Sequence, residues 1–368
     1  MRCGIEVSRP IDDNETGMKG LGEAMPRKTY RICVLAGDGI GPEVTDCGRR
    51  VLSSLEKAGG PVFVFDAQSA GHGAFERSGS ALSQEVVAIA RSADAVLVGA
   101  VDVARLPASE PEALSALRRA LDVHASVRPV RAFAGAPAIR ENIDVTIVRE
   151  VTEGLYSGIE YAAGPDAACA VRLITRQAST RAAEIAFRKA MERRRKVTAV
   201  HKIGVLKLTD GLFLDCARAV AKRFPEVEFE TRNVDACALE LVRHPEIFDV
   251  ILATNVFGDI LSDVAAGVGS GLGLAPSSCV GAQWAYFEPV HGTAPDIAGK
   301  GIANPMATIL STAMMLRHLG EGAWAGAIDR AVEKVLRAGP RTDDLGGRAT
   351  SSEVTTAVIA ALEKQITV

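Results

Sequence analysis

Short β-rich runs alternate with helical ones from Tyr30 onward, and this alternation predicts an α/β protein on a largely parallel sheet. Composition agrees. Hydrophobic residues make up 48% of the chain and aromatics only 5%, so the expected core is Ala, Val, Leu and Ile, packed closely with the help of 35 glycines. At about 150 residues per domain, 368 residues predict two domains.

Residues 30–36 form an apolar strand that ends at Gly37-Asp38-Gly39-Ile40-Gly41-Pro42, where glycines permit a tight turn and Pro42 suits a helix start. Helix 43–57, strand 61–66, helix 83–90 and strand 95–99 are expected next. A Pro-bearing segment, 104–111, precedes a helix carrying Arg118 and Arg119. Residues 126–130, 144–150 and 154–175 read as strands or extended arms. The last, partly polar and unflanked by helices, is expected to project and pair with another subunit. Helices 179–195, 210–224 and 234–243 then alternate with strands 197–201, 227–232 and 248–254. A glycine-rich stretch, 267–273, leads into two or three Ala-rich helices.

The 42 Lys and Arg against 45 Asp and Glu leave a formal charge of −3, which excludes electrostatic capture of nucleic acid as the main activity. No run approaches the roughly 18 uninterrupted apolar residues of a membrane span, so a soluble protein is expected. Residues 1–28 mix charge, Gly and Pro without an apolar h-region, and read as a poorly ordered extension rather than a secretory signal. Cys3, Cys33, Cys47, Cys169, Cys216, Cys237 and Cys279 are odd in number, scattered and never spaced CxxC. They read as thiols in a reducing cytoplasm.

Four constellations could carry chemistry. The apolar strand 248–254 runs into Asn255-Val256-Phe257-Gly258-Asp259-Ile260-Leu261-Ser262-Asp263. Asp259 and Asp263 are one helical turn apart on one face, placed to clamp a hard divalent cation at the strand's carboxyl end, where open α/β sheets bind ligands. An acidic first turn favoured by the helix dipole accounts for Asp259 but not for the second carboxylate. Asp235, one residue into another helix, is a candidate third ligand or an ordinary helix-start aspartate. Arg118, Arg128 and Arg149 need anionic partners, either internal carboxylates or a carboxylate ligand. Tyr156 and Lys202 sit at strand ends, where they could exchange protons beside a metal or serve only in packing. Residues 287–305 form a Gly/Pro-punctuated stretch suited to a ligand-binding loop. Pro42 stands where the last glycine of a GxGxxG would fall, so a dinucleotide would bind in a non-Rossmann arrangement.

Together these residues closely resemble the β-decarboxylating dehydrogenases, the family of isocitrate, homoisocitrate, 3-isopropylmalate and tartrate dehydrogenases. The resemblance runs from about Arg31 to the C-terminus and is strongest in residues 255–274 and 291–305. It implies an isocitrate/isopropylmalate dehydrogenase-like fold with a cofactor-binding domain of residues 29–123 and 271–368, a dimerisation, metal and substrate domain of 124–270, and an active site between them. It also implies a homodimer with shared sites, joined by the extended arm. Arg118, Arg128 and Arg149 would hold substrate carboxylates, and Asp259 and Asp263, with Asp235 from a second copy, would hold Mg²⁺ or Mn²⁺. Lys202 from the second copy would assist removal of the hydroxyl proton, and Tyr156 would protonate the enolate left by CO₂. His291, Gly292, Thr293, Ala294, Asp296, Ile297 and Asn304 match the adenosine site. Asp296-Ile297 stands where NADP-using relatives tend to carry Lys-Tyr, and a carboxylate there favours NAD by accepting from the ribose 2′-OH and repelling a 2′-phosphate.

The chain departs from the family pattern at Val151 and Gly204, where Asn is usual, and in a shortened substrate-selecting segment, residues 105–115. Glu112 and Leu114 fall where isocitrate enzymes place a Ser and an Asn for the extra carboxylate, which a Glu would repel. The expected activity is therefore NAD-dependent oxidative decarboxylation of a 3-substituted malate, isocitrate or homoisocitrate first. An unusual analogue with another anionic head that Arg105 could meet, or 3-isopropylmalate, is the alternative. A non-catalytic regulatory subunit is the alternative of another class. Retention of Tyr156, Lys202, Asp235, Asp259 and Asp263 argues against it, because such a subunit has no need of the full proton-transfer and metal set.

Overall fold

The computed structural model describes residues 27–107 and 109–366; the expected poorly ordered extension, apart from its last two residues, lies outside them, as does Cys3. Arg27 already belongs to the fold, its Nε donating to the Gly60 carbonyl at 2.8 Å. The chain begins β1 (Thr29–Gly37), α1 (Gly41–Lys57), β2 (Val62–Gln68), α2 (His72–Ser78), α3 (Gln84–Ser92), β3 (Ala95–Ala100) and α4 (Ala113–Ala120). It continues through the long strands β4 (Val123–Arg131) and β5 (Asp144–Glu150) to a small hairpin, β6 (Glu160–Ala162) and β7 (Ala168–Ala170). Next come α5 (Arg176–Met191), β8 (Lys196–His201), α6 (Thr209–Ala221), β9 (Glu228–Asn233), α7 (Val234–Arg243), β10 (Val250–Ala253) and α8 (Asn255–Val268). Two strands, β11 (Pro276–Gly281) and β12 (Ala285–Pro289), precede the closing helices α9 (Met306–His318), α10 (Gly322–Ala338) and α11 (Ser351–Ile366).

One ten-stranded sheet runs in the order β2-β1-β3-β12-β11-β4-β5-β10-β8-β9. Each flank is parallel, as expected. The centre is not, because β12 with β11, β11 with β4, and β4 with β5 all pair antiparallel. The glycine-rich stretch therefore leads first into the β11–β12 hairpin, whose mixed small and aromatic residues carry no strict alternation, and only then into the final helices. Helix α2, absent from the sequence reading, is seven residues long and too short for a clear apolar period.

The apolar interior divides along the same line. Clusters on the two faces of β1–β3–β12 draw, apart from Phe133, on residues up to 123 and from 274 onward. Clusters on the two faces of β4–β5–β10–β8 draw on residues 125–268. Small residues make the close packing possible. A Cβ on Gly37, whose φ is +76°, would lie 1.9 Å from the Ala100 carbonyl oxygen, so only glycine closes the turn after β1 beside β3. The β6–β7 hairpin is exposed throughout, and Ile159, Tyr161, Val171 and Leu173 around it also face outward. Among the described residues the six cysteines are free thiols, and no helix is long and apolar enough to cross a membrane.

Candidate active site

Helix α8 starts directly after the buried strand β10, and its first turns lie over β5. Gly258 permits the approach: a Cβ there would sit 2.7 Å from the Cβ of Arg149. This brings Asp259 against Arg149 of β5, which pairs with it, and against Arg128 of β4, whose Nη1 lies 3.2 Å from Oδ1. Tyr156, on a short turn bounded by Gly154 and Gly158, donates its hydroxyl to Asp259 Oδ2 at 2.6 Å. The Arg149 guanidinium stands over the Tyr156 ring at 5.0 Å. Four of the sequence-selected residues thus meet at one place.

Electrostatics follows from that arrangement. Desolvation works against ionised Asp259, but Arg149, the Tyr156 hydroxyl and Arg128 outweigh it and hold the carboxyl below its usual value. Desolvation, aided by the Asp259 carboxylate, raises the Tyr156 phenol, so it is protonated at neutral pH. Asp263, one turn along α8, makes no hydrogen bond or ion pair among the described residues, and desolvation first, then Asp259, pushes it up. Two hard carboxylates a turn apart, one without a protein partner, suit a divalent cation such as Mg²⁺ or Mn²⁺. The set is incomplete within one chain, since no group of three ligating side chains occurs among the described residues.

Lys202 and Asp235 lie elsewhere. They pair with each other between the end of β8 and the first turn of α7, and neither contacts Asp259 or Asp263 within the chain. The Lys202 backbone is pinned by the fully buried Asp210, which accepts from Lys202 N at 2.5 Å and forms an ion pair with Arg172, whose Nη1 lies 2.7 Å from Oδ1. Large apolar residues stand exposed beside both half-sites: Val205 and Leu208 next to Lys202, Leu239 next to Asp235, and Ile260 next to Asp259.

Arg118 approaches the same face from α4, next to Tyr286, which is in one cross-strand row with Cys279, Ser126 and Arg149. Its Nε donates to the Tyr286 hydroxyl at 2.8 Å, and Nη2 lies 3.8 Å from Glu288 Oε1. Arg105 is spent on Asp102 at 2.6 Å, and Leu106 and Leu114 pack against the core, so none of the three stands free. Glu112 takes the Ser115 hydroxyl at the start of α4, and its charge acts on Arg118 and Glu288. Val151 is buried, whereas a side chain at Gly204 would meet open space.

The loop between β12 and α9 wraps the turn after β1. Ile40 N donates to the Thr293 carbonyl at 2.9 Å, and Ala294, Ile297 and Ala298 pack on Ile40, Val44 and Ala303. Asn304 is held by Asp344 at 2.9 Å, and Asp296 is exposed. His291 is kept neutral by burial, and its Nε2 is buried without a partner, an orphan that the edge of an adenine ring would satisfy. The turn after β1 does not hold a phosphate in Rossmann fashion. The Asp38 carboxylate fills it, accepting from His72 N, Gly73 N and Asp102 N, each at 2.8 Å.

A family model described as isocitrate/isopropylmalate dehydrogenase matches residues 31–360. The chain belongs to this family. Its members are decarboxylating dehydrogenases that use a nicotinamide cofactor and a divalent metal, bind small polycarboxylates and often form dimers. The chain is 50% identical over 338 residues to the isocitrate/homoisocitrate dehydrogenase of Thermus thermophilus, covering 91% of this chain and 99% of that one. It is 46% identical to the 3-isopropylmalate dehydrogenase of Archaeoglobus fulgidus, over 90% of this chain and 99% of the other. The crystal structure of isocitrate dehydrogenase from Methylococcus capsulatus superposes with a TM-score of 0.87 at 40% identity, covering 91% of this chain and 99% of that chain.

Sequence reading missed Tyr286, Glu288, Ser126 and Ser262 around the arginines, and Asp210 behind Lys202. Tyr286 and Glu288 lie in a short, fully buried strand where they read as core and strand-end residues, and the serines carry no periodic signal. Asp210 looks like an ordinary acidic first helical turn.

Proposed function

We propose that this family member performs NAD-dependent oxidative decarboxylation of a 3-substituted malate, with isocitrate or homoisocitrate as first candidates and Mg²⁺ or Mn²⁺ as the cation. The observation that carries this reading is the meeting of Arg128, Arg149, Asp259 and Tyr156 where α8 starts over the central strands β4 and β5. When bound, the cation would polarise the 2-hydroxyl and its neighbouring carboxylate, and NAD would accept the hydride. Arg118, Arg128 and Arg149 hold the carboxylates with forked donors. Tyr156, protonated at neutral pH, returns a proton to the carbon that CO₂ has left.

Lys202 of a second copy takes up the hydroxyl proton, and Asp235 of that copy joins Asp259 and Asp263 around the cation. The exposed apolar residues beside both half-sites support such a face-to-face homodimer, as does the exposed β6–β7 arm. His291, Gly292, Thr293, Ala294, Asp296, Ile297 and Asn304 form the adenosine site, and the exposed Asp296 favours NAD over NADP. In the same reading residues 29–123 and 271–368 are the cofactor domain and 124–270 the second domain. The free thiols fit a cytoplasmic protein.

Glu112, acting on Arg118, favours a second reading in which the 3-substituent is not a carboxylate, as in 3-isopropylmalate or an unusual analogue. One assay tests both. Purified protein with NAD, Mg²⁺ and a panel of isocitrate, homoisocitrate and 3-isopropylmalate should produce NADH with at least one member. Silence across the panel, with tight binding of one acid, would mark a regulatory subunit instead.

A further inference from the structure

Each of the three arginines has its Nε tied to a neutral acceptor. Arg118 donates to the Tyr286 hydroxyl at 2.8 Å, Arg128 to Ser126 Oγ at 3.2 Å and Arg149 to Asn255 Oδ1 at 2.9 Å. A neutral acceptor fixes the plane of a guanidinium without cancelling its charge, which stays available on the distal nitrogens.

Tyr286 differs from the other two acceptors. It is fully buried in β12, a strand whose other side chains are also buried. A phenol in such a place costs free energy unless its hydroxyl is used on both sides. It is so used: while accepting from Arg118 it donates to Glu288 Oε1 at 3.3 Å. Cys279 Sγ lies 3.8 Å from the same oxygen, and so does Arg118 Nη2. The network is buried, and Arg118 Nη1 is the one nitrogen of its guanidinium without a protein partner among the described residues.

We infer that Tyr286 is the positioning residue for Arg118. Its hydroxyl sets the plane of the guanidinium and hands the substrate carboxylate the far end of the fork rather than the Nε side. Glu288 behind it steadies both groups. This rests on the proposed role of Arg118 in holding a carboxylate.

The test uses the intact enzyme and whichever panel acid turns over fastest. Tyr286→Phe should raise KM for that acid about tenfold, the usual order for a hydrogen bond to a charged group. Its kcat should stay within about twofold and KM for NAD should not move. Arg118→Lys should also raise KM, and adding Tyr286→Phe to it should change nothing more, because lysine has no Nε for the phenol to orient. Unchanged KM in Tyr286→Phe with only a lower thermal midpoint would overturn the inference, as would two effects that simply add. Unchanged KM in Arg118→Lys would instead overturn the reading on which it rests, and absence of turnover across the panel would remove both. If Tyr286→Phe does not fold, Glu288→Gln, which keeps the shape and loosens the hold on the phenol, should raise KM about threefold, and an unchanged KM there overturns the inference.

Discussion

The Asp259 centre and the Lys202–Asp235 pair are both ion-paired groups at strand ends, yet they are built in opposite ways. In the first, β4, β5, α8 and the Tyr156 turn converge, and the side chains of Arg128 and Arg149 are only 6% and 2% exposed. In the second, one lysine and one aspartate close on each other with side chains 34% and 64% exposed, beside uncovered Val205, Leu208 and Leu239. The first region sets one carboxylate between two buried guanidiniums, and removing it would strand buried cations. The second costs little to open, because an exposed pair contributes little to stability. In the proposed shared-site reading a second copy completes this weak pair, set among exposed apolar side chains, so the contrast separates what one chain builds from what takes two.

The strongest way to break that contrast is Asp259→Asn. It removes the proposed cation ligand and the anchor of two arginines while keeping the shape, so kcat should fall by about a thousandfold or more. Circular dichroism should show a folded protein, and a fully active variant would sink the metal assignment. A sharper test mixes two inactive proteins, Asp259→Asn and Lys202→Met. If sites are shared, refolding them together yields mixed dimers with one intact site each, restoring about a quarter of native activity by random pairing. No recovery would return Lys202 to a single-chain or structural role. A smaller effect is expected at the adenosine loop, where Asp296→Lys with Ile297→Tyr should move preference toward NADP by about tenfold in kcat/KM. No shift would count against the charge argument for NAD.

The same contrast explains what was legible in the sequence. Asp259 and Asp263 announce themselves by helical spacing after an apolar strand, and Arg128 and Arg149 by charge inside apolar runs. Their partners in space were hidden. Ser126 and Ser262 carry no pattern, and Tyr286 reads as one more core residue until its hydroxyl is found against Arg118. The parallel flanks of the sheet follow from alternating strands and helices, whereas in the antiparallel centre only β4 and β5 are consecutive, and the rest depends on β11 and β12 returning to lie between β3 and β4. No local pattern encodes that return. Residue spacing likewise cannot show that Lys202 faces Asp235 rather than Asp259.

The loop proposed to hold the adenosine offers the smallest prediction and a third case between the two regions, a half-buried segment with one buried polar atom unanswered. Burial lowers His291 from its ordinary 6.5, so the folded state resists the proton. Well above 6.5 both folded and unfolded chains carry the neutral ring and the group costs nothing. As pH falls below that value the unfolded chain binds a proton that the folded chain does not, and stability is lost. His124, His201 and His318 are lowered by burial as well, so the wild-type decline is shared among them. The comparison with His291→Gln isolates one ring. Between about pH 7 and pH 5.5 the wild-type thermal midpoint should fall about 2 °C further than that of the variant. NAD added to the wild type should restore part of the loss by answering Nε2, and it should restore less in the variant. Equal declines in both proteins would mean that the His291 ring is open to water, as Lys202 and Asp235 are, and not enclosed by its own chain.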